Sequence, residues 1–285
     1  MAKTRKVRRM VIGSQQIDGA GVRLVRMIGR NDVEQFDPFL MLDAFDSRDP
    51  QDYIRGFPWH PHRGIETVTY LLAGDLEHGD SLGNRGHIRD GGCQWMTAGS
   101  GIIHQEMPQA APRMLGLQLW LNLPRKDKFT APQYRDLSGD RIPRVREGGS
   151  DIGVIAGHYG STAGPTQGDY VRATMLDVAL QPGAELGLPV DPTDTVFLYI
   201  VEGSGRLGGS EREVERHRAV LFGDGDHLRA GAGAAGLRFV LFAGRPLREP
   251  IAWGGPIVMN TREELEQAFA EIDNGTFIRH PSAAP

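Results

Sequence analysis

Two short pairs of residues are spaced for chemistry: His60-Pro61-His62 and His104-Gln105-Glu106. In each, two groups able to ligate a metal are separated by one residue. Successive side chains on a strand alternate between faces, so residues at i and i+2 project to the same side. If both pairs lie on extended chain, three imidazoles and one carboxylate are offered to a single ion. This all-nitrogen-and-oxygen set suits a divalent transition metal, whether Fe(II), Mn, Ni, Co, Cu(II) or Zn. Four protein ligands leave a position open for water, dioxygen or a chelating substrate when the ion takes five or six. The intrinsic affinity order favours copper, so donor types alone do not name the metal.

The competing explanation is coincidence, since the chain has nine histidines in 285 residues. Two i,i+2 pairs, each beside a turn, are a poor fit to chance. Glu66 is the other candidate carboxylate; four residues beyond His62, it would share that face of one strand, either as an alternate ligand or as an acceptor for a ligand N–H. Glu106 is kept in the ligand set and is also the candidate proton acceptor in catalysis. Gln118 and Trp120 are candidate pocket residues. In Gly116–Leu123 the leucines at 117, 119, 121 and 123 take one face, and Gln118, Trp120 and Asn122 take the other. That is the pattern of a strand with one face in a core and one toward a pocket.

The elements that must carry these residues read as β throughout. The 38 glycines and 18 prolines are spread along the chain, as many short strands joined by turns require. Val22–Ile28, Ile65–Leu72, Cys93–Thr97 and the run from Ile102 are strand-like before residue 136. Ile152–Ala156, Tyr170–Leu180, Thr195–Val201, Ala219–Phe222 and Leu237–Phe242 follow. Pro143 and Gly148-Gly149-Ser150 break the pattern between residues 136 and 150, which gives domains of 1–140 and 141–285. One helix is expected, at 261–273: Thr261 caps it, Glu264 completes a capping box, and Leu265, Ala268, Phe269 and Ile272 form its apolar stripe.

The halves repeat weakly. Tyr70-Leu71-Leu72-Ala73-Gly74 resembles Tyr199-Ile200-Val201-Glu202-Gly203, and Gly99-Ser100-Gly101 resembles Gly223-Asp224-Gly225. The repeat is roughly 120–130 residues long. Transferred by it, His60 and His62 fall on Pro189 and Asp191, and His104 and Glu106 on Leu228 and Ala230. His227 misses the position by one residue, which on a strand means the opposite face. The second half is therefore expected to be metal-free.

Other features exclude alternatives. A net charge of −4 gives no reason to expect nucleic acid or a membrane surface. Cys93 is the single cysteine, so there is no internal disulfide and no cysteine zinc cluster. The basic start, Lys3 to Arg9, is not followed by an apolar stretch of the secretory kind, and the default expectation is a cytoplasmic protein. Gly203-Ser204-Gly205-Arg206-Leu207-Gly208 matches a dinucleotide fingerprint, but Ser210–Arg218 lacks the apolar stripe of the helix that must follow. Arg63, beside His62, could guide an anionic ligand or simply be exposed.

Two stretches carry a family resemblance. Phe57-Pro58-Trp59-His60-Pro61-His62-Arg63-Gly64-Ile65-Glu66-Thr67-Val68 resembles the first cupin motif as it occurs in pirins. Gln94 through Pro108, with Ala98-Gly99-Ser100-Gly101-Ile102-Ile103-His104-Gln105-Glu106, resembles the second. Further similarity runs through Leu117–Trp120, Pro132–Tyr134, Gly244–Pro250 and Val258–Thr261. The resemblance implies an all-β bicupin: two jelly-roll-like β-barrels and a short C-terminal helix, with one metal in the N-terminal barrel. It carries the family's ligand positions to His60, His62, His104 and Glu106, in preference to Glu66, with Fe(II) as the usual metal. It implies two functions. One is a quercetinase-type dioxygenase acting on a flavonol or similar enolisable aromatic. The other is a metal- or redox-responsive regulator that binds a protein partner.

Overall fold

The computed structural model describes residues 2–280. Strands dominate, and the α-helices among the described residues are Val33–Phe36 and Arg262–Asp273. No described helix is long and apolar enough to cross a membrane. The chain forms two compact units. One gathers residues 14–33, 39–140 and the chain from 247 onward; the other gathers the first 13 residues, 34–38 and 141–246. The change at 140/141 follows linear order, but the terminal segments do not. The helix expected in a 141–285 domain belongs to the unit built from the first half.

In that unit a seven-stranded sheet runs Gln133–Leu137, Cys93–Thr97, Ile65–Ala73, Met114–Asn122, Phe39–Ser47, Val22–Ile28, Ser14–Asp18. A four-stranded sheet runs Phe57–His62, Ile102–Gln109, Asp75–Asp80, Arg85–Arg89. Every pairing is antiparallel. The leucine alternation holds: Leu117, Leu119, Leu121 and Leu123 are buried on one face, while Trp120 on the other joins a core with Leu40, Met41, Ile65, Met96, Ile102 and Val258.

The C-terminal segment completes this unit. Ala252–Gly254 and Ile257–Met259 form a hairpin, and Ile257, Met259, Ala268 and Phe277 share an apolar cluster. The helix begins as its sequence requires. Thr261 Oγ1 accepts from Glu264 N at 3.2 Å and Glu264 Oε2 accepts from Thr261 N at 3.1 Å. Gly64, at φ +76°, has no room for a side chain: a Cβ there would lie 2.0 Å from the Val258 carbonyl oxygen. That glycine is what lets the C-terminal hairpin approach the end of the His60–His62 strand.

The other unit is a nine-stranded antiparallel sheet whose longest strand is His227–Gly244. Its main core cluster is apolar, with Leu188, Leu198, Ile200, Leu228, Phe239 and Leu241 buried together. Gly203–Leu207 lies within the strand Thr195–Leu207, and the next element is the strand Glu213–Glu215 rather than a helix. The glycine pattern is thus part of a hairpin.

Candidate metal centre

The two ligand pairs lie on neighbouring strands of one ladder. His104 stands directly opposite His60, and Ile102 opposite His62. His60 and His62 share a face by alternation, and His104 joins it by cross-strand pairing. The three rings pack with centroids 4.4 to 5.0 Å apart, and their ligand nitrogens all lie within 4.8 Å of one another.

The hydrogen bonds at the outer edges of these rings fix what faces inward. His60 Nδ1 lies 2.8 Å from the Pro58 carbonyl oxygen, and His62 Nδ1 lies 3.0 Å from that of Pro256. A carbonyl can only accept, so each Nδ1 carries the hydrogen and each Nε2 presents a lone pair. Those two Nε2 atoms are 3.1 Å apart. His104 Nε2 is buried without a hydrogen-bond partner among the described residues. Two such nitrogens beside a buried His104 ring nitrogen that lacks a partner make a donor set that fits a metal ion. Burial, then the neighbouring imidazoles, pushes His62 down to about 3 and His104 well below its usual value. Both therefore stay neutral at ordinary pH, the form that ligates.

Glu106 lies outside the three-imidazole group. It is two residues beyond His104 on the same strand, where an irregularity sets it opposite Phe57. Its carboxylate is held from both sides: Thr69 Oγ1 donates to Oε1 and Gln118 Nε2 to Oε2, each at 2.8 Å. Glu66 is buried on the next sheet, where Thr97 Oγ1 donates to its Oε1 at 2.7 Å. Gln118 and Trp120 both line a cavity of about 570 Å³ that reaches His60 and His62. The Trp120 ring stands edge-on to His62 at 5.0 Å.

Several residues of this cavity carry no signal in their spacing. Arg26 and Asp43 form a two-pronged ion pair in its wall at 2.8 and 2.7 Å. Arg30 sits 5.6 Å from the ring centre of Trp253. Trp253 and Pro256 come from the C-terminal hairpin, far from the histidines in sequence. An aromatic beside Gly254-Gly255-Pro256 was the one local hint of a special turn. Arg63 neither guides a ligand into this cavity nor reaches solvent: it is buried and directed to Ser100, Glu271 and Phe277. Cys93 is buried, and burial pushes its thiol far up, so it is an inert core residue.

A polar cluster of histidines inside one of two antiparallel barrels defines the class: a bicupin with one elaborated and one apolar barrel. The Pirin family model matches residues 21–121, and the Pirin C-terminal cupin domain matches 175–278. The chain belongs to the pirin family. A pirin-like protein of Caulobacter vibrioides is 47% identical over 96% of this chain and 99% of its own. Human pirin is 39% identical over 96% and 94%. A crystal structure described as quercetin 2,3-dioxygenase from Acinetobacter baumannii superposes with a TM-score of 0.88 at 30% identity, covering 96% of this chain and 98% of that one.

Proposed function

We propose that this protein is a metal-dependent dioxygenase of the quercetinase type, acting on a flavonol or a similar enolisable aromatic. The observation that carries the reading is the cluster of three imidazoles, one with a buried unpartnered nitrogen, beside an aromatic-walled cavity. Similarity to the Acinetobacter structure supports the substrate class. His60, His62 and His104 would hold the ion, with Glu106 as the fourth ligand and Fe(II) as the metal. When bound, such an ion supplies Lewis acidity toward a substrate oxygen and a place for dioxygen.

The chain's own residues supply the rest. Trp120 and Trp253 form walls against which a planar substrate can lie. Glu106 is the carboxylate to take the proton of the substrate hydroxyl. Gln118 and Thr69 hold its two oxygens in place by hydrogen bonds. The reaction adds both atoms of dioxygen and releases one ring carbon as carbon monoxide. Aerobic incubation with quercetin after loading with iron, copper, nickel, cobalt or manganese should consume the flavonol and evolve carbon monoxide. Silence with all five metals would remove the enzyme reading.

A second reading is that the protein is a regulator whose metal state is sensed by a protein partner. The contact favouring it is that between His62 and Pro256, which links the centre to the C-terminal segment. Identical partner sets for metal-loaded and metal-free protein would eliminate it.

A further inference from the structure

The C-terminal segment is part of the histidine centre, and one buried arginine seats it. Arg63 follows His62 in sequence and is 1% exposed. Its Nε donates to the Ser100 carbonyl at 2.6 Å, and one terminal nitrogen donates to the Phe277 carbonyl at 2.9 Å. That end also forms an ion pair with Glu271 Oε2 at 2.7 Å, and the guanidinium lies 4.2 Å from the Phe277 ring centre. Ser100 belongs to the turn that leads into the His104 strand. One planar cation thus joins both ligand-bearing strands to the helix and the residues after it. Lysine could not make these contacts together, because they use the fork and the flat face of the guanidinium.

The seating has a consequence at His62. Ile257 bridges Arg63 in parallel, and Val258 N donates to the Arg63 carbonyl at 3.1 Å. Lys128 Nζ donates to the carbonyls of Gly64 and Val258 at 2.7 and 2.8 Å. These bonds lay the hairpin alongside residues 62–64 and bring the Pro256 carbonyl to His62 Nδ1. The same hairpin gives Trp253 and Pro256 to the cavity wall.

We infer that Arg63 and Glu271 are a positioning pair for the metal centre. By seating the C-terminal segment they hold the Pro256 carbonyl against His62, and so fix the tautomer and ring orientation of that ligand. The inference rests on the metal reading above. Partners of this kind act on affinity because a correctly oriented imidazole need not be ordered when the ion arrives.

The test is titration of the metal-free full-length protein with Co(II), followed by the visible absorption of the bound ion. Glu271→Ala should weaken Co(II) binding about tenfold and alter the band shape, while Glu271→Gln, which keeps an oxygen acceptor, should stay within about threefold of the native protein. A Glu271→Ala protein with a lower melting temperature but unchanged Co(II) affinity and spectrum would overturn the inference, leaving the pair a clamp on the helix. If that variant does not fold, Glu271→Asp, with the charge kept and the reach shortened, is read by the same criteria. Failure of both to fold would also overturn it, because the pair would then serve folding alone. Absence of Co(II) binding by the native protein would instead remove the metal reading itself.

Discussion

The two barrels fill their strand ladders with opposite chemistry. In one, His60 faces His104 across an antiparallel pair; in the other, Leu188 faces Leu228. The first unit buries the polar Glu66, Thr69, Gln94, Thr97 and Glu106; the second pair shares its buried cluster with Val196, Leu198, Val220 and Leu241. No described residue buried in the apolar unit is a histidine. The difference teaches that the antiparallel framework does not depend on what fills it. The apolar cluster stabilises the second barrel by burial, and the fully buried Asp177 is paired with Arg238. A polar interior must satisfy each group, and in the first barrel a buried His104 nitrogen has no partner among the described residues.

The largest effect should come from exchanging these fillings. Leu228 is fully buried among apolar side chains. Leu228→His loses aliphatic contacts and buries an imidazole without a partner, and should cost about 3–5 kcal/mol. Urea unfolding followed by circular dichroism would show it as a lowered midpoint. An unchanged midpoint would mean that the second barrel tolerates polar filling and lacks only the ligands.

The converse change empties the first barrel of a ligand. His104→Ala should reduce metal affinity beyond the ~10–100-fold that outer partners cost, while the fold persists because the strands are held by their ladders. His62→Ala should behave alike. Elemental analysis of either variant showing full metal content would refute the ligand set, and loss of the β signal would refute the independence of framework and filling.

These two predictions also mark what the sequence made legible. Alternation placed His60, His62 and His104 on one face, and the strand ladder confirms it because a period of two leaves a side chain no other choice. The repeat set Leu228 at the place of His104, and Leu228 is buried in the apolar cluster of the second unit. The cavity wall was not readable. Trp253 and Pro256 meet the histidines only because the C-terminal hairpin crosses back, and Gly64 and Arg63, which permit and fix that crossing, look locally like a turn and a surface charge. Arg26 and Asp43 needed the tertiary pairing of two strands before the carboxylate of Asp43 had a reason to be buried.

A smaller effect distinguishes the barrels by acid. His62 is held down to about 3 against an ordinary 6.5. Between these values the unfolded chain binds a proton that the folded chain does not. Stability of the metal-free protein is therefore complete above pH 6.5 and is lost progressively as pH falls toward 3. From pH 6.5 to 5 this imidazole should cost about 2 kcal/mol, with His104 acting in the same direction. Melting temperatures of metal-free native protein and of His62→Ala across that range test it: the variant should show the shallower decline. Parallel profiles would show that the imidazoles do not set the acid sensitivity.

The finest test separates the two glutamates inside the polar barrel. Each accepts from one threonine, Thr69 for Glu106 and Thr97 for Glu66. Glu106 also accepts from Gln118, which lines the cavity, and lies two residues from His104 on the ligand strand. A carboxylate held at both oxygens is ordered in advance, and such a group contributes most where charge must be matched at short range. Glu106→Gln should therefore weaken Co(II) binding about tenfold, and Glu66→Gln by no more than about threefold. The reverse order would transfer the fourth ligand position to Glu66 and leave Glu106 as the group that fixes Gln118 in the cavity wall. Equal, small effects would reduce the centre to its three histidines and make its open positions more numerous.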